Sequence, residues 1–176
     1  MFTPYKVDVY LMENLILSAL RWASGFIGLS ITTTFPRYRL LQRLCLILFV
    51  RRSKYTRNLS AIIPVPPSNP DRPFQPVQEL ALEVGRRAEI PVATDYLKKI
   101  KKTPPLKDVD DTQSRKQHLR GAFVVADRRF AGKYVLVLDD LYRSGETLSE
   151  VTRVLMQQGK VSKVFVLTIT KTRTKR

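Results

Sequence analysis

Hydrophobic and polar positions divide the chain into short apolar runs, turns and amphipathic stretches. Residues 134–138, YVLVL, form an apolar run that fits a strand buried on both faces, as in a parallel sheet. Gly132 marks a turn before it, and Asp139 and Asp140 end it. A short loop over 141–146 holds Ser144 and Gly145. Thr147 then opens a segment in which Leu148, Val151, Val154 and Leu155 recur at helical spacing, closed by Gly159. Residues 61–65 read as the first clear strand, and 161–170 as a further strand rich in β-branched residues. Residues 121–126 read as a strand feeding a turn at 127–132, and 90–93 and 96–100 as short extended pieces. Phe74, Val77, Leu80, Ala81, Val84 and Ala88 follow a 3–4 spacing, which predicts a helix over about 74–88 with one buried stripe. Strands alternating with helices predict an α/β fold, a parallel sheet with flanking helices.

Two stretches between these elements are polar and irregular. After the strand at 61–65 comes PVPPSNPDRP, with four prolines in 66–73. Prolines at this density exclude helix and stiffen the backbone. Such text is commonly a surface linker. Residues 98–120, KKIKKTPPLKDVDDTQSRKQHLR, are charged and carry a Pro-Pro pair, which predicts a long loop. A loop of that length inside a compact domain is usually functional or disordered, and a solvated basic loop is the plain alternative.

Residues 1–60 form a separate N-terminal segment, poorly assigned but helical in pattern. Leu11, Leu15, Ala19, Trp22 and Phe26 recur near helical spacing. The apolar text over 9–31 contains Glu13, Asn14 and Arg21, and an arginine near the centre of a span costs about 2.5–3.5 kcal/mol. No integral membrane span is therefore expected. The run 44–50 is too short to cross a bilayer, but Arg51, Arg52, Lys54 and Arg57 follow it, so attachment at a membrane surface stays open. No short basic n-region leads into a small-residue cleavage site, so no cleavable signal is expected. The segment is left with three readings: a hood over a site, an amphipathic helix packed on the core or at an interface, or text from a mis-started frame.

Composition narrows the chemistry. The chain has 176 residues, enough for one domain with a sizeable core, here 61–176. Cys45 is the single cysteine, which excludes an internal disulfide and Cys-based zinc clusters and fits a reduced, cytoplasmic setting. His118 is the single histidine, so two-histidine zinc motifs are excluded. Neither GxxxxGK[ST] nor GxGxxG occurs. The net charge is +16, from 31 Lys and Arg against 15 Asp and Glu. That balance favours polyanionic partners: phosphorylated small molecules, weakly bound nucleic acid or an anionic membrane surface. Basic proteins also carry solvated Lys and Arg with no partner, and no aromatic run interleaves with the cations as an RNA-stacking surface requires.

The central unit, KYVLVLDDLYRSGETL, carries the most specific chemistry. Ligands of open α/β sheets bind at the carboxyl ends of strands. A loop leading into a helix N-terminus offers free N–H groups to a phosphate. Gly145 lets the backbone come close to the anion, and Ser144 and Thr147 can donate from their hydroxyls. Carboxylates one step upstream suit sugar hydroxyls instead. An acidic pair beside a phosphate cradle points to a ribose 5-phosphate.

VLVLDDLYRSGETL resembles the 5-phosphoribosyl-1-pyrophosphate (PRPP) motif of the type I phosphoribosyltransferases. That motif is a hydrophobic strand, two acidic residues, and a loop ending in Ser/Thr-Gly-x-Thr. IIPVPPS upstream and GKVSKVFVLTITKTR downstream look most like the competence-F (ComF-type) branch, and the resemblance covers about 61–173. It implies a type I phosphoribosyltransferase-like fold and Mg²⁺-dependent transfer of ribose 5-phosphate from PRPP to an acceptor, with release of pyrophosphate. Asp139 and Asp140 would be the catalytic pair, orienting the ribose hydroxyls near the metal without a direct metal ligand being assigned. Tyr142, Arg143, Ser144, Gly145, Glu146 and Thr147 would bind PRPP. Pro67, Ser68, Asn69 and Arg72 would form the pyrophosphate loop. Lys101, Lys102, Lys107, Arg115 and Arg120 would lie on a flexible loop closing over the substrate.

Arg143 stands where the purine-salvage branch often has a base-contacting aspartate, and a guanidinium cannot accept a proton at pH 7. Hypoxanthine or guanine salvage is discounted on that ground, and the acceptor is left open. Two function classes follow: a PRPP-dependent transferase, or a non-catalytic PRPP- or nucleotide-sensing module tied to DNA uptake or DNA processing. A homodimer is compatible with both.

Overall fold

A computed structural model of the chain describes residues 8–11, 58–69, 71, 73–101, 112–142 and 145–171. Most of the N-terminal segment lies outside these residues, and its described piece, 8–11, is a strand, so Leu11 does not belong to the helical stripe expected there. The elements run β1 (Asp8–Leu11), β2 (Leu59–Pro64), α1 (Pro76–Ala88), β3 (Leu97–Lys99), α2 (Thr112–Leu119), β4 (Phe123–Val125), β5 (Tyr134–Tyr142), α3 (Glu146–Gln157) and β6 (Lys163–Lys171). Four strands form one sheet in the order β1-β6-β5-β2, and every pair is parallel. The apolar run 134–138 is therefore the start of an interior strand, as its lack of alternation predicts. The strand continues past the acidic pair to Tyr142, because Asp139, Leu141 and Tyr142 pair in register with Thr168, Thr170 and Lys171 of β6.

The pleat sorts each strand's apolar residues onto two faces. Ala61, Ile63, Val135, Val137, Val164 and Val166 lie on one face, under Leu148, Val151, Val154 and Leu155 of α3. Ile62, Leu136, Leu138, Phe165 and Leu167 lie on the other, under Leu80, Ala81 and Val84 of α1. Burial on both faces is why these strands read as continuous apolar runs.

Three expectations are corrected. The helix predicted from 74 starts at Pro76. Gln75 is extended (φ −114°, ψ 90°), as the residue before a proline prefers, and Phe74 stays outside the helix, 59% exposed. Residues 121–126 do not join the parallel sheet. β4 pairs antiparallel with β3 in a separate two-stranded sheet, which adds Leu97 and Phe123 to the core beneath α3. The stretch 98–120 is not loop throughout, since 112–119 is helical. The piece 90–93 contributes a single parallel bridge, Val92 to Ile62, along the outer edge of β2.

Candidate functional site

β2 and β5 are neighbours, so the loops that leave their carboxyl ends emerge side by side. Pro64 is in register with Leu138. The Val65 N–H donates to the Leu138 carbonyl at 2.9 Å, one residue before Asp139. The proline-rich loop and the acidic pair, 75 residues apart in sequence between Pro64 and Asp139, thus begin at one end of the sheet.

Asp139 falls on the face covered by α3, following Val135 and Val137. Asp140 takes the opposite side of the strand and is exposed. The Asp140 N–H donates to Asp139 Oδ1 at 2.9 Å. Burial pushes the Asp139 carboxyl up to about 7, and the adjacent Asp140 charge adds to the rise. The pair is therefore unequal: one carboxylate faces water, and its neighbour is half-withdrawn from it.

The phosphate-loop candidates divide into described and undescribed. Arg143 and Ser144 lie outside the described residues, as does Arg72. Gly145 caps α3 with φ 84° and ψ −2°, the left-handed conformation in which glycine is at ease. A Cβ there would also meet the Tyr142 ring, with Oη at 3.0 Å. Gly145 thus lets the chain reverse over Tyr142 before the helix begins. Its carbonyl accepts from Ser149 N–H at 2.8 Å, and Gly145, as the N-cap, has no side chain to bond the helix start. Glu146 is the first residue of α3 and is buried, so its carboxyl does not stand open in the loop; Thr147 is half-buried. An acid in the first helical turn complements the helix dipole.

In the proline-rich loop Pro67 is half-buried, and Ser68 and Asn69 are exposed. Asn69 Oδ1 accepts from Asp71 N–H at 3.1 Å, and its carbonyl accepts from Gln75 Nε2 at 3.1 Å. Asn69 therefore orders the loop itself, as Asx turns do. Of the flexible-loop cations, Lys101 and Arg120 are exposed. Lys102 and Lys107 lie outside the described residues, and Arg115 falls within α2. The turn after α2 is held: Gly121 takes φ 71°, and its N–H donates to Glu150 Oε1 on α3 at 3.0 Å. Arg153 grips the same carboxylate at 2.7 and 2.8 Å.

The sequence reading passes over Thr168. It is fully buried and stands in register with Asp139. In KVFVLTITK, a hydroxyl at the position paired with the first aspartate is the signal, but it needs the strand register to be seen. Among the described residues no group of three or more His, Cys, Asp or Glu converges as a metal site, and no helix is long and apolar enough to cross a membrane.

Comparison with known proteins adds to this geometry. No family model matches the chain. Competence protein F of Haemophilus influenzae is 32% identical over 129 residues, covering 69% of this chain and 56% of that protein. By that match the chain is related to the ComF proteins. It spans little more than half the length of that ComF relative. Solved structures similar to the chain include the allosteric regulatory enzyme of purine biosynthesis, at TM-score 0.47 and 18% identity, covering 73% of this chain and 25% of that one. A hypoxanthine phosphoribosyltransferase from Staphylococcus aureus is similar at TM-score 0.44 and 12% identity, covering 72% and 61%.

Proposed function

We propose that the chain binds PRPP at the carboxyl ends of β2 and β5 and transfers its ribose 5-phosphate to an acceptor, with pyrophosphate leaving. The observation that carries this is the unequal acidic pair of Asp139 and Asp140, set one short loop before the glycine-capped start of α3. Sugar hydroxyls donate to carboxylates, and the N–H groups at a helix start donate to an anion, so the two halves of a ribose phosphate have complementary partners. In this reading Asp139 and Asp140 hold the ribose hydroxyls. The N–H groups from Tyr142 to Thr147 hold the 5-phosphate, with the hydroxyls of Ser144 and Thr147. The loop with Pro67, Ser68, Asn69 and Arg72 faces the pyrophosphate, and Lys101, Lys102, Lys107, Arg115 and Arg120 bring positive charge toward it.

The donor set fits Mg²⁺ in one particular way. Two adjacent carboxylates are hard oxygen donors, but no cluster of three acids converges among the described residues. The ion would ride on pyrophosphate oxygens and ribose hydroxyls, held in place through Asp139 and Asp140. Bound there, it would neutralise charge developing on the leaving group. The protein's own part is positioning: it aligns the sugar and excludes alternative poses.

A second reading keeps the binding and drops the chemistry. The relative's name, competence protein F, together with the charge of +16, favours a PRPP- or nucleotide-sensing module that works beside DNA and binds nucleic acid weakly. A cytoplasmic setting belongs to both readings.

Calorimetry and thermal unfolding with PRPP and Mg²⁺ test the shared core. The ligand is expected to raise the melting temperature by mass action. The double variant Asp139→Asn/Asp140→Asn is expected to lose that response while staying folded. Equal PRPP affinity in wild type and double variant would reduce the acidic pair to a strand terminus. Pyrophosphate release, assayed against a panel of bases and amines, separates the transferase from the sensor. For the sensor, DNA affinity should fall steeply with salt.

A further inference from the structure

Thr168 stands beside Asp139 across the parallel β5–β6 pair. In-register neighbours of such a pair share a face of the sheet, here the face under α3, where Val166 precedes Thr168 and Val137 precedes Asp139. Thr168 is fully buried, and its Oγ1 has no hydrogen-bond partner. Leu11 of β1 occupies the register position on its other side, a residue type with no hydrogen-bonding side chain. Val166 and Leu11 leave Asp139 as the polar residue paired with this hydroxyl in the sheet. A buried hydroxyl without a partner is an exception in folded proteins and calls for an explanation, such as a role at a site.

We propose that Thr168 is a positioning residue for Asp139, its hydroxyl turning to donate to the carboxylate when Asp139 is ionised, the form in which Asp139 holds a phosphoribosyl ligand. The inference rests on the reading of the acidic pair as the ribose-hydroxyl binder. A carboxylate has about four lone-pair sites, and the Asp140 N–H occupies one of them. A χ1 change to another staggered well re-aims Oγ1 without moving the backbone. The ionised form of Asp139 is the one that accepts from ribose hydroxyls, and burial together with the Asp140 charge works against it. A neutral donor from β6 counters both. Among the described residues, the charge that acts on Asp139 is that of Asp140, its neighbour on β5. β2 presents the apolar Val65 and α3 the apolar Leu148 and Val151 to this face, and Thr152 of α3 is a second buried threonine whose Oγ1 has no partner.

Two variants separate the hydroxyl from the methyl. Thr168→Val keeps the shape and removes the donor. Thr168→Ser keeps the donor and removes a methyl. Calorimetry with PRPP and Mg²⁺ is expected to show about tenfold weaker binding in Thr168→Val, the effect of one hydrogen bond to a charged group. Thr168→Ser should stay within about twofold of wild type. In the ligand-free protein, the Asp139 carboxyl ¹³C titration midpoint is expected to rise in Thr168→Val and to stay put in Thr168→Ser. Equal loss in both variants would make Thr168 a packing residue and overturn the proposal. So would wild-type behaviour of Thr168→Val in both measurements. If wild type itself ignores PRPP, the ribose-binding reading fails, and the carboxyl midpoint alone decides: no change in Thr168→Val refutes the Thr168–Asp139 link.

Discussion

In the turn that leads into β5, Arg129 bonds Asp127 at 3.0 Å and also reaches Asp95. Its guanidinium lies over the rings of Tyr96 and Phe130, 5.2 and 5.4 Å from their centroids. Arg128 Nε donates to the Gln158 carbonyl at 3.2 Å, near the end of α3, where cations are favoured. At the other end of the same strand, two aspartates follow one another, and one is half-withdrawn from water. The first end pairs opposite charges around an aromatic platform. The second places like charges together and lets one titrate near neutrality. Proteins keep such unfavourable arrangements where a ligand relieves them. The difference teaches where in β5 to look for stability and where to look for binding.

The comparison breaks most visibly at the stabilising end. Gly159 packs so closely that a Cβ would lie 2.6 Å from Tyr96 Oη and 2.8 Å from the Leu155 carbonyl. Gly159→Val is expected to cost about 3 kcal/mol, read by chemical denaturation. A cost below about 0.5 kcal/mol, typical of a surface position, would show that this end tolerates repacking.

The opposite end should respond with the opposite sign. The native Asp139 carboxyl, raised from 3.8 to about 7, binds its proton more tightly than the unfolded chain does. Wild-type stability therefore falls as pH rises from the ordinary carboxylate range through 7. Asp139→Asn carries no such titration. It is expected to gain on wild type over that window, levelling off above it at a benefit of at most about 4 kcal/mol without ligand. A pH-independent difference between the two proteins would mean that the acidic end stores no such energy.

The smallest effect sharpens the contrast. The hydrogen bond from Arg129 holds the Asp95 carboxyl below the usual carboxylate range. Its contribution is present above that range and lost as pH falls through the depressed value. Arg129→Ala is expected to lower the melting temperature modestly at pH 7, with the difference shrinking in acid and in high salt, because the pair is exposed. A difference that grows in acid would contradict the pairing.

The sequence reaches furthest where local pattern and tertiary need agree. An unbroken apolar run can only be buried on both sides, so β5 is legible as an interior strand of a parallel sheet. Asp139, Asp140 and Gly145 are legible because type, order and spacing sit in one continuous stretch. The left-handed φ of Gly145 is not legible there, because the residue before a helix is ordinarily extended.

What the chain text leaves open is decided by distant contacts. α2 has one apolar anchor, Leu119, and no amphipathic stripe; its docking depends on Leu119 in the core and on Glu150 holding the turn at Gly121. β4 has strand-like text as β2 has, yet it pairs antiparallel with β3 instead of joining the parallel sheet. Gly159 reads as a left-handed helix cap. The left-handed residue is instead Lys160, at φ 54°, and Gly159 is needed because Tyr96, 63 positions earlier, leaves no room for a side chain. Thr168 looks like one more β-branched strand residue until the register sets it against Asp139. Periodicity reports which side of an element is buried, but the partner across a sheet is fixed only when the strands are laid together.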